Sequence, residues 1–325
     1  MSVALNNPLR LVRRGLAVLA FSLAPFAAQA GGDCHFPKTR PVFIKGNMGP
    51  CNFDPDKLRF AGTPAEQAAC LLTPVEKFGK LGTKLDALPA AIADYVGRPN
   101  GLPDSEGLRR LTQELQERNL AQDFGSAIDH PVSFAQKDEF VSRSATYFVI
   151  HDTSSPNYMG RAFPDDIDKD ANINNLGRYV CANKIERAHV FINRSGEIML
   201  GHDFEIPWRA TKFEMATEFD TALRGLFLHT ELIQPRRREP GRGWANDFQA
   251  PSPGFSLAQY DALALVYVVA SVRAGYWLIP AFHGVLDEGI WDKHDDPQNF
   301  DLPAFAGSLE KLRARLQPTS VGQAH

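Results

Sequence analysis

The chain has 325 residues, 44% of them hydrophobic and 22% charged, with a formal net charge of −3. That balance supplies a substantial core and leaves room for two domains. It argues against the basic stripe of a phosphate-backbone binder, so nucleic acid is not an expected partner.

Residues 1–30 read as a cleaved export signal. Arg10, Arg13 and Arg14 form a basic start, an apolar run follows from Gly15 to Ala27, and Ala28-Gln29-Ala30 makes a small-x-small cleavage site. The run is short for a bilayer and Pro25 interrupts it. After it, no segment reads as long and apolar enough to cross a membrane. Export implies an oxidising compartment, the periplasm ahead of full secretion. Four cysteines, Cys34, Cys51, Cys70 and Cys181, could there pair in three ways. A Cys51–Cys70 bridge is favoured because it closes a short loop. The absence of any Cys-x-x-Cys pair argues against a zinc knuckle.

Residues 31–140 form an N-terminal accessory region, expected to be mostly helical. A helix starts at Thr63, with Pro64 suited to its first position. A second covers "SEGLRRLTQELQERN", with Ser105 as its cap and Leu108, Leu111 and Leu115 on one face. "RPNGLPD" between them is a turn. The region carries no catalytic constellation.

The second region, residues 141–325, alternates strands and helices. "ATYFVIH" (145–151) is a strand by its β-branched and aromatic run. "RAHVFINRSGEIML" (187–200) is a hairpin turning at Arg194-Ser195-Gly196. "GLFLHTEL" (225–232) is another strand. "SLAQYDALALVYVVASVRAG" (256–275) is a buried helix with a Ser256/Gln259 capping box and Gly275 past its end. "YWLIPAFH" (276–283) is a last strand, and Pro280 places it at a sheet edge. The pattern predicts an α/β fold, a mixed central sheet flanked by helices.

Two of these strands end in histidine, His151 and His283. Side chains at strand ends project over the sheet edge, where sites are built. A catalytic zinc site takes three protein ligands and leaves a position open. The segment "FHGVLDEGIWDKHDDPQNF" (282–300) offers four aspartates for the third ligand. A lone histidine is more often structural than ligating.

Four stretches in order, "FVIHDTSS", "AHVFINRSGEI", "FLHTELIQP" and "FHGVLDEGIWDKHDDPQNF", resemble the zinc-dependent N-acetylmuramoyl-L-alanine amidases. That group includes the peptidoglycan recognition proteins and the phage amidase-type lysozymes. The resemblance covers roughly residues 142–303. It implies an amidase or recognition-protein-like fold, Zn²⁺ as cofactor, and peptidoglycan or a muropeptide as substrate. His151, His283 and Asp296 match the zinc ligands, and Glu231 matches the general base. His189 matches a hairpin histidine near the substrate cleft.

The chain departs from the family pattern in several places. The family's lysine two residues before the ligand aspartate is His294 here, with Lys293 one residue earlier, and either could face an oxyanion. An insertion between His283 and Asp296 leaves Asp295 as a rival ligand. Arg209 stands where the family often has a histidine of the substrate cleft, and His229 where it has glycine. Some relatives of this kind bind peptidoglycan without cutting it, and a zinc peptidase would use the same chemistry.

Two further segments read as solvated. "DDIDKDANINN" (165–175) alternates acids like a calcium loop but has Ala171 where the loop glycine belongs. "QPRRREPGRG" (234–243) is a basic loop that could also meet acidic muropeptide groups. The chain has no Gly-x-Ser-x-Gly and no phosphate-binding glycine loop, which argues against a serine hydrolase and a nucleotide enzyme. The sequence leaves the oligomeric state open.

Overall fold

The computed structural model describes residues 49–120, 128–135, 143–179, 188–219, 221–239, 248–290 and 293–317. The predicted export signal, Cys34 and Cys181 lie outside them. The chain opens with a small antiparallel ribbon, β1 (Phe53–Asp54) and β2 (Arg59–Phe60), followed by α1 (Pro64–Leu71). Thr63 and Glu66 cap α1 reciprocally, with Pro64 at its start, as the sequence predicts. Cys51 is bonded to Cys70, which staples the ribbon to this helix. Then come α2 (Ala90–Ala93) and α3 (Ser105–Glu117). The cap of α3 is Asp104 rather than Ser105. Its carboxylate accepts the Gly107 N–H at 2.9 Å, and Ser105 is already helical.

The central sheet has five strands: β3 (Tyr147–Asp152), β4 (Val190–Ile192), β5 (Ile198–Leu200), β6 (Phe227–Leu232) and, later in the chain, β9 (Ile279–Phe282). Between β6 and β9 lie a short ribbon, β7 (Arg237–Arg238) with β8 (Phe248–Gln249), and the long helix α4 (Leu257–Ala274). The strand order is β5-β4-β6-β3-β9. β4, β6, β3 and β9 run parallel, and the β4–β5 hairpin makes the sheet mixed. Pro280 sits on the edge strand, where its missing N–H leaves no ladder bond unmade. The last strand ends one residue early, because His283 opens the one-turn helix α5 (His283–Leu286). α6 (Leu302–Leu316) closes the fold.

Each sheet face has its own cover. Phe148 turns one way, onto Tyr267 of α4, with ring centres 5.2 Å apart, and α6 packs outside α4. By length and apolarity α4 would cross a membrane, which corrects the expectation that no segment after the export signal could. Within the fold 72% of it is buried, the place of a core helix. Tyr147 turns the other way. Its hydroxyl accepts the Phe60 N–H and donates to Gln67 of α1, each at 2.9 Å. Phe53, Phe60, Phe213 and Phe227 extend an aromatic cluster over this second face. α1 packs against β9, while α2 and α3 pack against α6. The N-terminal elements thus share one continuous apolar core with the sheet.

Candidate metal centre

Strand alternation puts Tyr147, Val149 and His151 of β3 on the face that the N-terminal elements cover. The parallel register pairs Val149 with His229 and His151 with Glu231. It pairs Ile150 with Phe282, so His283 follows one residue past the last rung. His151, Glu231 and His283 therefore collect at the carboxyl ends of three adjacent parallel strands, the end of an α/β sheet where ligands bind.

His151 Nδ1 lies 2.9 Å from His283 Nδ1. His283 Nδ1 is 3.2 Å from each carboxylate oxygen of Asp296, and His151 Nδ1 is 3.9 Å from Asp296 Oδ2. All three residues are buried. Adjacent ligands of a tetrahedral zinc with bonds of about 2.0–2.1 Å sit about 3.3 Å apart. The spacings here bracket that value, so the group fits a divalent cation.

Proton positions sharpen the argument. Glu214 is fully buried, and its Oε2 accepts the Ala210 and Thr211 N–H groups at 3.2 and 3.1 Å and the Thr211 hydroxyl at 2.9 Å. The same oxygen lies 3.3 Å from His229 Nε2, off hydrogen-bond alignment, and its charge favours the tautomer with the ring proton on that nitrogen. His229 Nδ1 is then an acceptor, and His151 Nε2–H donates to it at 3.0 Å. That leaves His151 Nδ1 a bare lone pair facing His283 Nδ1 and the Asp296 carboxylate. Three acceptors converging in a buried site need a cation among them, either a proton or a metal ion.

Burial holds the His151 imidazole well below its usual value, with His283 and His229 adding repulsion. For His283 burial pulls the same way, but the Asp296 and Asp287 carboxylates outweigh it and raise the imidazole well above. Burial pushes the Asp296 carboxyl up. His283 and His294 outweigh it and hold the carboxyl below the ordinary range.

Asp296 is the residue placed for ligation, and Asp295 is not. The Asp152 N–H donates to Asp296 Oδ2 at 3.0 Å. Asp295 turns instead to Gln298 Nε2 at 2.7 Å and to Arg236 Nη2 at 3.5 Å. Arg236 belongs to the segment 234–243, predicted to be a solvated basic loop. It is buried, and it donates to Asp152 Oδ2 at 2.9 Å. Burial pushes the Asp152 carboxyl up to about 7, with Arg236 opposing. The rest of that loop, from residue 240, lies outside the described residues. The N-terminal region clamps the Asp296 loop as well. Asn299 N–H donates to Val75 O at 3.0 Å, and Gly79 packs so closely that a Cβ there would sit 2.2 Å from the Asp295 Cβ.

His189 is buried beside His229. Its Nδ1 accepts the His229 N–H at 3.0 Å and its Nε2 faces Ile206 O at 3.1 Å, which makes it a structural brace one ring behind His151. Arg209 is half-buried, one residue before the Glu214 cradle. Lys293 is ion-paired with Glu288. His294 packs at a tilt against His283 with ring centres 4.2 Å apart and donates from Nδ1 to Asp287 Oδ2 at 2.9 Å. Of the two candidates for the lysine role, His294 is therefore the one that meets a candidate metal ligand. In the acidic stretch 165–175, Asp168 pairs with Arg194 at 2.7 Å and Asp170 accepts the Ile173 N–H at 2.8 Å. The metal-ligating groups among the described residues do not include that stretch.

No motif in the sequence marks Glu214 or Asp287 as a site residue. Thr211 and Glu214 have capping-box spacing, which marks a local turn and nothing about a histidine. Asp287 lies four residues after His283 on one helical turn and is one of four aspartates between residues 282 and 300. Comparisons of the chain with protein-family models, with curated proteins and with solved structures give no match.

Proposed function

We propose that this chain is an exported zinc amidase, of the N-acetylmuramoyl-L-alanine amidase kind and fold, that cleaves the bond between N-acetylmuramic acid and L-alanine in peptidoglycan or muropeptides. The observation that carries the reading is the convergence of His151, His283 and Asp296 with Glu231 in register beside His151. A zinc ion held by those three residues would polarise an amide carbonyl and acidify a water. Glu231, half-buried at the carboxyl end of β6, would take a proton from that water and return it to the leaving amine. His294 gives its Nδ1–H to Asp287, so a neutral ring has a bare Nε2 and only the imidazolium donates from that atom. The Nε2–H of that cation would serve the developing oxyanion in place of a lysine. The buried Glu214–His229 pair holds His151 in the tautomer that ligation needs.

The test is incubation of the purified protein with muropeptides and with sacculi, with and without a chelator, following release of the L-Ala-headed peptide. Release that stops on chelation and returns with Zn²⁺ is the expected result. Binding without release from zinc-loaded protein would instead establish a peptidoglycan-binding module of this fold.

A further inference from the structure

His283 has two ring nitrogens, and the centre described above uses one. We infer that the other, Nε2, belongs to a second divalent-cation site built with Asp287 and His294. It rests on the same centre, because His283 is common to both. Asp287 Oδ2 lies 3.0 Å from His283 Nε2 and 2.9 Å from His294 Nδ1, and the three ligand atoms fall within 4.8 Å of one another.

Three features point to an ion rather than to a carboxylate that merely orients two rings. His283 Nε2 is buried, and its short approach to Asp287 lacks the alignment of a hydrogen bond. The Asp287 carboxylate is fixed from behind, because its Oδ1 accepts the Phe213 N–H at 2.9 Å, leaving Oδ2 for both histidines. Finally, His294 is 45% exposed while Asp287 is fully buried, so the group is open on one side and polar on the other. Two imidazole nitrogens and one carboxylate oxygen suit zinc or cobalt better than calcium or magnesium.

Occupancy of both sites makes His283 a bridging imidazolate, whose remaining ring proton is released to solvent as the second cation binds. It also withdraws His294 from the substrate. The second ion therefore binds more weakly than the first, through repulsion between the two charges, and its occupancy at excess zinc is inhibitory.

The test is metal stoichiometry on the full mature chain. Metal-free protein is titrated with Zn²⁺, and bound metal is counted by native mass spectrometry and elemental analysis. Wild type should reach two equivalents in two separable steps. His294→Ala and His294→Gln, both at a half-exposed position, should keep the first and lose the second, with affinity for it reduced more than about tenfold. Circular dichroism confirms that both variants are folded. One equivalent in saturated wild type overturns the second site. So do two equivalents retained in both His294 variants. No bound zinc at all removes the primary centre together with it. Two equivalents without any muropeptide release leave this inference standing and remove the amidase reading.

Discussion

His151 and His283 bring their Nδ1 atoms to 2.9 Å of each other from positions 132 residues apart in the chain. They meet because β3 and β9 pair in parallel and because Glu214, through His229, keeps the proton off the facing nitrogen of His151.

Asp296→Ala should abolish tight metal binding, and Asp295→Ala should leave it within a few-fold of wild type. Asp295 is held by Gln298 and by a 3.5 Å contact to Arg236, while Asp296 faces both histidines. Chelator competition with Zn²⁺ or Co²⁺ checks both. Equal loss in the two variants would assign the ligand wrongly.

Glu214→Gln should weaken metal binding about 10–100-fold, the usual range for groups that orient a metal-ligating histidine. The amide keeps the size of the side chain but no longer draws the proton to His229 Nε2. Calorimetry on folded variant protein measures it. Unchanged affinity would separate Glu214 from the centre.

Glu231→Gln should leave metal content unchanged while muropeptide cleavage falls about 10²–10⁴-fold, the range of a lost general base. Elemental analysis alongside the cleavage assay distinguishes this from a ligand variant. A loss of metal in Glu231→Gln would make it part of the ion's cradle instead.

Gly79→Ala should lower both stability and metal affinity. The residue has φ +66° and its Cβ would meet Asp295 at 2.2 Å, so strain and overlap act together. About 2 kcal/mol of destabilisation in urea is expected. Full metal affinity in the variant would show that the N-terminal clamp does not position the Asp296 loop.

Asp203 gives the fold an acid-sensitive link. Arg273, near the end of α4, donates to it at 2.5 and 3.1 Å and also reaches His130 O and Pro131 O. Burial pushes the Asp203 carboxyl up, but the Arg273 bonds outweigh it and lower it below its usual value. A depressed carboxylate stabilises the fold above its unfolded value of about 3.9 and stops doing so as pH falls through its folded value. Asp203→Asn should therefore be less stable than wild type by about 2 kcal/mol at neutral pH. The gap should close below about pH 4 in pH-resolved urea melts. A gap that stays constant down to acid would remove the ion pair as its cause.

Local pattern carried much of the fold. The capping boxes of α1 and α4, the hairpin turn at Gly196, the edge proline of β9 and the short Cys51–Cys70 loop all rest on neighbours in sequence, and all are present. The α3 cap slipped by one residue because Asp104 and Ser105 are both good caps and only backbone geometry chooses between them. The same limit acts at the centre. Strand-end histidines could be read from the sequence, because a strand declares where it stops. The choice of Asp296 over Asp295 could not, since adjacent aspartates differ only in which way a loop turns. Arg236, Gln298, Val75 and Gly79 set that turn from distant parts of the chain. Glu214 and Asp287 become site residues only where folding buries them beside a histidine, because a carboxylate acts on a ring nitrogen through distance and low dielectric, and neither is written in sequence spacing.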